Sequence, residues 1–411
     1  MKRIVILTAD AGFGHRSAAN AVAAALNELH GDDCQVIILN PLDDKRTPFF
    51  LRDSQADYDN IITNLPELYK LGYDFSDATV TSVLVDSALS VLLFEVMRDV
   101  IKKHKPDAIV TTYPLYQSPL IAVASVTKIV VPILTVITDL VTAHRLWFNN
   151  DVDACLGSTE AVIELAREYG IPGEKIHLTG IPVHPNLAKE KRAPVEIRRE
   201  LGWHEHLPTF LAVGSRRVER LLETLNVLNH YGMPLQLAVV AGKDKDLFRL
   251  LEENEWHVPV KLYEFVENIA PLMHAADAVI CKAGGLIVTE ALATGTPLIL
   301  IQALPGQETG NAEYVVSNRA GDLVEEPQQV LEVLHHWMKN DACLLKERAA
   351  NARRLGRPES AYTVASLAWL AANHKRIRKP GWLIERRNRI IGLLERNKIN
   401  WQAPFRARRK K

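Results

Sequence analysis

Short apolar runs recur along the chain, each closed by glycine or polar residues and followed by a helical period. The first, Arg3–Leu7 (RIVIL), has the continuous apolar character of a buried parallel strand and leads through Thr8–Ser17 into the alanine-rich helix Ala18–Leu29. CQVIILN, ending at Asn40, is the next run. Strands are then expected at Ala108–Thr112, Ile133–Thr138, Ala154–Leu156 and Lys175–Thr179, with helices between them. This alternation predicts an α/β fold with a doubly wound parallel sheet. A second series begins at Pro208: strand TFLAVGS, helix Arg217–His230, strand LQLAVVAG, helix Lys245–Glu253, strand VKLYEF, helix Ile269–Ala275 and strand ADAVIC. Two Rossmann-like halves of similar size place a cleft between them. The charged helical segment Lys189–Trp203 reads as their connection.

Two stretches break the rhythm. Pro41–Tyr73 is polar and aromatic without a clean period, and reads as an excursion over the mouth of the first sheet, a candidate lid. Thr79–Val100 is a mostly apolar helix with a basic end at Ile101–Lys105; a helix apolar on most faces is buried or lipid-facing, and the core is the expectation here.

The stretch richest in chemistry is Cys281–Asn311, CKAGGLIVTEALATGTPLILIQALPGQETGN. It predicts a strand ending near Cys281, a turn at Gly284 and Gly285, a helix of about eight residues, a buried strand Pro297–Ile301 and a polar loop with Gln307, Glu308 and Asn311. A glycine pair opening a helix lets the backbone approach a ligand and aims free amides at it, which suits a phosphate. Glu290, in the second turn, suits a hydroxyl pair such as a ribose diol. Gln307, Glu308 and Asn311 follow the C-terminal end of a strand, where open α/β sheets bind ligands.

In the first half, GFGHRS lacks the third glycine of a dinucleotide fingerprint, and no acidic residue ends the second strand. His15 starts a helix at the mouth of the first strand, where an imidazole suits a general base or a hydrogen-bond donor. Polar clusters close two further strands: Thr111–Tyr116 (TTYPLY), and Thr138–Phe148 (TDLVTAHRLWF) with Asp139, His144, Arg145 and Trp147. Asp139 and His144 alone would under-coordinate a metal. The DxD patterns at Asp151–Asp153 and Asp244–Asp246 sit in contexts that do not suggest a metal-diphosphate site.

Composition narrows the picture. A chain of 411 residues, 47% hydrophobic and 24% charged, suits a soluble protein of two domains. Its four cysteines lack metal or CxxC spacing, so reduced thiols in a cytoplasmic protein are expected, and neither a signal peptide nor a membrane span is apparent. The zero net charge hides an asymmetry: Lys375–Lys411 holds 14 Lys/Arg against two Asp/Glu, interleaved with Trp382, Ile390, Leu394, Trp401 and Phe405. Such a tail suits an anionic membrane surface or nucleic acid, or else a helix docked on the body. Docking is expected for Trp382–Leu394 and surface attraction for Phe405–Lys411.

Taken together, GFGHRSAA, TDLVTAHRLWF, GIPVHP, CKAGG…TEAL and PGQETGN, in this order over residues 12 to 311, resemble the GT-B glycosyltransferases of the family-28 type. More narrowly they resemble the monogalactosyldiacylglycerol synthases and processive diacylglycerol glucosyltransferases. The resemblance implies an acceptor domain over 1–186, a linker over 187–207, a UDP-sugar-binding domain over 208–370, and a C-terminal helix and basic tail over 371–411 that return to the first domain. Gly284 and Gly285 would hold the diphosphate, Glu290 the ribose, and Gln307, Glu308 and Asn311 the sugar and phosphates. Phe265 and Val266 would border the uracil, and Lys282 would offset phosphate charge. His15 would serve the acceptor hydroxyl, with Asp139, His144 and Trp147 on the acceptor side. Gly214 and Ser215 keep a tight turn, but Arg216 and Arg217 stand where the family has small residues; a guanidinium there suits a diphosphate or crowds the pocket.

The implied reaction is inverting transfer of galactose or glucose from a UDP-sugar to diacylglycerol in an anionic membrane, giving a β-glycosyl lipid. No cofactor, metal or nucleic acid is required. The enzyme would be attached peripherally to the inner face of the cell membrane. A UDP-sugar 2-epimerase on the same fold, transfer to another lipid acceptor, and a non-catalytic relative are the alternatives.

Overall fold

The computed structural model describes residues 1–10, 13–52, 79–127, 130–215, 218–304 and 307–374, together with 390–392, 394, 395, 397 and 399. The expectations for most of the Pro41–Tyr73 excursion, for Arg216 and Arg217, for the Gln307 side chain and for the end of the basic tail lie outside these residues.

The first half comprises β1 (Lys2–Leu7), α1 (Phe13–His30), β2 (Cys34–Leu39), α2 (Thr79–Leu92), α3 (Phe94–His104), β3 (Ala108–Thr111), α4 (Gln117–Thr127), β4 (Ile133–Val136), β5 (Ala154–Gly157), α5 (Glu160–Glu168) and β6 (Ile176–Leu178). Its six strands order as β2-β1-β3-β4-β5-β6, with every pair parallel. The single helix expected over Thr79–Val100 is two helices, broken at Leu93, which is itself buried.

After α6 (Pro185–Lys189) and α7 (Pro194–Leu201), the second half runs β7 (Thr209–Val213), α8 (Leu221–Asn229), β8 (Gln236–Val240), α9 (Lys245–Glu253), β9 (Val260–Tyr263), α10 (Ala270–Ala275), β10 (Ala278–Lys282), α11 (Gly285–Thr294), β11 (Leu298–Gln302), α12 (Gln307–Ser317), β12 (Gly321–Leu323), α13 (Gln329–Leu355, kinked at Lys339–Ala342) and α14 (Ser360–Asn373). The second sheet is also six-stranded and parallel, in the order β12-β11-β10-β7-β8-β9. Two such sheets with flanking helices form the two-domain GT-B architecture. A parallel sheet covered on both faces needs strands apolar on both sides, which is why its strands were readable as continuous apolar runs.

Three features join the halves. The connecting helix α7 is no free linker: Ile197 and Trp203 lie in the same apolar cluster as Leu211, Val279 and Leu298 of the second sheet. The buried Arg198 fastens it, donating to the carbonyls of Ala275, Glu205 and Leu207 and to Asp277. In the other direction, α14 packs on the first sheet from Ser360 onward: Ala361, Val364, Ala365, Ala368 and Ala372 share a core with Ile4, Ile6, Val22, Leu26 and Val110. The sequence-based boundary at residue 370 had grouped most of this helix with the second half. Where the chain crosses between halves, the Val183 amide donates to Ser360 Oγ at 3.2 Å, so the outgoing and returning crossings are bonded to each other. Further on, Ile390 and Leu394 are buried against the opposite face of the first sheet, in the cluster with Val5, Leu93 and Phe94.

Candidate active site

Both sheets direct the C-terminal ends of their strands toward the seam between the halves. On the first-domain side, His15 lies in the first turn of α1, next to the end of β1. Its ring Nδ1 is 2.9 Å from Thr138 Oγ1, just past β4, and its carbonyl accepts from Thr112 Oγ1 at 3.0 Å, just past β3. Three strand ends therefore hold one histidine. Tyr113 meets the imidazole edge-on with centroids 5.0 Å apart, and Trp147 lies 6.0 Å away at a tilt. Removal of water by these walls pushes the His15 pKa down to about 4, against a smaller opposing contribution from a hydrogen bond between the ring and the Thr112 backbone. At neutral pH the ring is uncharged.

The turn that carries His15 is braced from outside. Arg16 donates two bonds to Asp10, at 2.8 and 2.9 Å, and Asn40 adds a third at 3.2 Å. The bond from Arg16, more than its charge, holds the Asp10 carboxyl below its ordinary range.

The other first-domain candidates form the support under the imidazole. Trp147 is almost fully buried, and its indole N–H donates to Asp139 Oδ2 at 2.6 Å. The Asp139 carbonyl accepts from Ser158 Oγ, and that of Leu140 accepts from Thr159 Oγ1 at 2.6 Å. His144, also buried, uses its Nδ1 to accept the Leu146 amide, capping the single turn that presents Trp147. Asp139 and His144 thus fix the aromatic wall beside His15.

On the second-domain side, β10 ends at Lys282 and α11 opens at Gly285, with Gly284 as its cap and no side-chain capping bond. The first amides of a helix have no partner inside it, and here no Ser, Thr or Asp side chain occupies them. Lys282 reaches across to Glu308, and the two are paired with little exposure; the other Glu308 oxygen accepts the Leu304 amide at 3.1 Å. Asn311 donates to the Ala283 carbonyl at 2.9 Å, while its buried Oδ1 has no hydrogen-bond partner among the described residues. Gln307, Glu308 and Asn311 were expected on a loop; they stand in the first turns of α12, whose N-terminus lies beside that of α11. Pro305 and Gly306 gave the stretch its loop-like signature in the sequence.

Glu290, in the second turn of α11, makes no ion pair among the described residues. Loss of hydration pushes its pKa up to about 8. The floor of this half is set by close backbone packing at the ends of β7 and β8. A Cβ at Gly242 (φ +68°) would lie 2.2 Å from the Gly214 carbonyl oxygen, so only glycine fits there. The next residue, Lys243, sets its ammonium 4.2 Å over the ring of Phe265, which is 47% exposed after β9. Val266 and Val213 pack on the same apolar cluster as Ile287 and Ala303, which gathers the loops after β7, β9, β10 and β11. The Ser215 carbonyl accepts the Val218 amide at 2.9 Å.

The two sides meet along residues 138–142. A Cβ placed at Gly285 would touch the Thr138 carbonyl at 3.4 Å, and one at Gly310 would press on Thr142 Oγ1 at 2.9 Å. Leu140, between them, is buried in the core of the second half. Thr138 and Tyr113 were not singled out from the sequence as site residues, although both lie in the polar clusters that close β3 and β4. Their positions just past strand ends were the available signal.

The arrangement sets a neutral imidazole against uncapped helix amides, the Lys282–Glu308 pair and the Glu290 carboxyl. It suits attack by a hydroxyl with departure of a diphosphate.

Comparison with known proteins agrees. Residues 15–183 match the monogalactosyldiacylglycerol (MGDG) synthase family, and residues 210–363 match the glycosyltransferase family 28 C-terminal domain. The chain is 32% identical over 373 residues to the chloroplastic monogalactosyldiacylglycerol synthase of Spinacia oleracea, covering 88% of this chain and 71% of that one. It is 32% identical over 378 residues to monogalactosyldiacylglycerol synthase 1 of Arabidopsis thaliana, covering 88% and 70%. Among solved structures, Acinetobacter baumannii MurG aligns with a TM-score of 0.55 at 17% identity, over 90% of this chain and 100% of that chain. UDP-GlcNAc 2-epimerase from Neisseria meningitidis, bound to UDP-GlcNAc, aligns at 0.57 and 16%, over the same shares. Such distant likenesses speak to the fold, whereas the sequence matches run through both halves of the site. The chain is a glycosyltransferase of the monogalactosyldiacylglycerol synthase family.

Proposed function

We propose that the protein transfers galactose from UDP-galactose to diacylglycerol, with inversion at the sugar. The observation that carries this reading is the pairing of His15 with Thr138, whose carbonyl adjoins Gly285: it sets a base beside the helix end suited to a diphosphate. The names of the relatives supply the sugar and the lipid. In this mechanism the acceptor hydroxyl attacks C1 of the sugar and passes its proton to His15 Nε2. The C1–O bond to the diphosphate breaks, and UDP leaves with that electron pair. The α11 amides and Lys282 stabilise the departing charge, so chelation with EDTA leaves the rate unchanged. Glu290 takes the ribose hydroxyls, and Phe265 flanks the uracil.

A membrane-borne acceptor is supported by the first domain's surface. Phe49 and Phe50 are 69% and 52% exposed and meet edge-on, while the adjoining Leu51 packs against the core that includes Leu89 and Phe94. Among the described residues no helix is long and apolar enough to cross a membrane. UDP release, measured with UDP-galactose, UDP-glucose and UDP-N-acetylglucosamine over diacylglycerol-containing anionic vesicles, tests the reading. Release that requires diacylglycerol and UDP-galactose, with a galactosyl lipid as product, is expected. Release preferring UDP-glucose replaces the donor, and lipid-independent conversion of UDP-N-acetylglucosamine replaces the reaction with epimerisation.

A further inference from the structure

We propose that Thr138 is a positioning residue that sets the tautomer of His15, its hydroxyl oxygen accepting Nδ1–H so that the Nε2 lone pair faces the cleft. The inference deepens the reading of His15 as the base and rests on it for its catalytic meaning. A neutral imidazole has one N–H and one lone pair, and the partner of one nitrogen decides which form is populated. Among the described residues, the side chain that meets the His15 ring is Thr138, its Oγ1 2.9 Å from Nδ1, and a hydrogen bond with the Thr112 backbone is the ring's other polar contact. A histidine base is usually oriented by a carboxylate or a backbone carbonyl, which can only accept. The Asp139 carboxylate is bound to the Trp147 indole, and the Thr112 hydroxyl is spent on the His15 backbone carbonyl. At Nδ1 it is a hydroxyl, able to donate or accept, that stands in the orienting place.

The direction follows from the surroundings. If Thr138 donated to Nδ1, the proton would sit on Nε2, and the imidazole could not take a proton from an acceptor. With Nδ1–H donating instead, Nε2 keeps its lone pair for the proton of the acceptor. Thr138 is well placed for this role because its own backbone is clamped: Ser158 and Thr159 hold the carbonyls of the next two residues, and the Thr138 carbonyl rests against Gly285. Its position therefore depends on both halves being in place.

Nitrogen-15 spectra of histidine-labelled protein at neutral pH test the proposal. The chain has 14 histidines, so the His15 signals are identified by their loss in His15→Gln. The expected wild-type pattern is a protonated Nδ1 and a bare Nε2. Thr138→Val, which keeps the shape and removes the hydroxyl, should move His15 toward the Nε2–H form and lower kcat by roughly tenfold or more, the scale of a disturbed general base, with donor KM unchanged. Thr138→Ser should restore both the pattern and the rate. A wild-type proton on Nε2, or a Val variant with the same tautomer as wild type, overturns the proposal. Full turnover by His15→Ala would instead overturn the base assignment, while the spectra still decide the role of Thr138.

Discussion

His15 Nδ1 lies 2.9 Å from Thr138 Oγ1, and the carbonyl of the same threonine lies at the first glycine of α11. The proposed base and the proposed diphosphate cradle, from different domains, thus meet at one residue. Replacing His15 by Ala should lower kcat by about 10²–10⁴, the usual worth of general-base help, with UDP affinity unchanged. The rate of the wild type should hold down to acid pH and fail only near pH 4, where the ring takes up a proton. A falling limb near 6.5 instead would mean that water reaches the ring freely.

The same ring makes a prediction for stability. In the unfolded chain it takes up a proton near pH 6.5, and in the folded one only near 4. Between these values the unfolded state binds more protons, so stability falls as the pH drops through this window. His15→Gln should flatten this part of the stability curve, measured by urea unfolding at stepped pH.

Glu290 carries the opposite shift, up to about 8, so at neutral pH its carboxyl is largely protonated in the free protein. A carboxylate that accepts two ribose hydroxyls must be ionised. UDP binding should therefore release a proton, and affinity should strengthen with rising pH, by up to about tenfold per unit below the shifted pKa. Calorimetry in buffers of different ionisation heat reads the proton directly. Glu290→Gln should bind UDP more weakly and lose the pH dependence; a retained slope assigns it to another group.

Lys282 and Glu308 are paired with little access to water. Removing one partner of a buried pair costs about 3–5 kcal/mol, because it strands the other charge. Lys282→Met should therefore lower stability and weaken UDP binding together. Adding Glu308→Gln should recover much of the stability without recovering the binding. Recovery of both would assign Lys282 to structure alone.

Gly310 presses on Thr142 where the domains meet, and a Cβ there would lie 2.9 Å from its hydroxyl oxygen. Gly310→Ala should force the α12 end from the first domain, costing about 1–3 kcal/mol, as overpacking does. The loss should appear in kcat/KM more than in UDP affinity, since the donor side alone stays intact. An unaltered kcat/KM would show that the seam yields without disturbing the chemistry.

Much of this was legible in the chain itself. Buried parallel strands such as Ile4–Leu7 and Val279–Cys281 announce themselves because both faces must be apolar, and ligand residues follow strand ends by the geometry of the fold. The position of Gly284, Gly285 and Glu290 just past the end of β10 was visible for that reason. The rest depends on contacts between residues far apart in sequence. Nothing local distinguishes Thr138 from other threonines until α1 places His15 against it. Lys282 read as a cation available for phosphate until Glu308 came within reach. The alanines of α14 read as part of the second half because no periodicity says which sheet a helix will cover.

That last feature has a consequence for how the protein is made. A ribosome that has reached residue 207 has delivered all six strands of the first sheet, yet the helix that covers Ile4, Ile6 and Val110 is still unsynthesised. The nascent first half, whose face is covered in part by α1, must wait while the whole second half is translated, and Ser360–Asn373 completes the cover. Premature termination anywhere before that helix leaves an aggregation-prone chain rather than a smaller working domain.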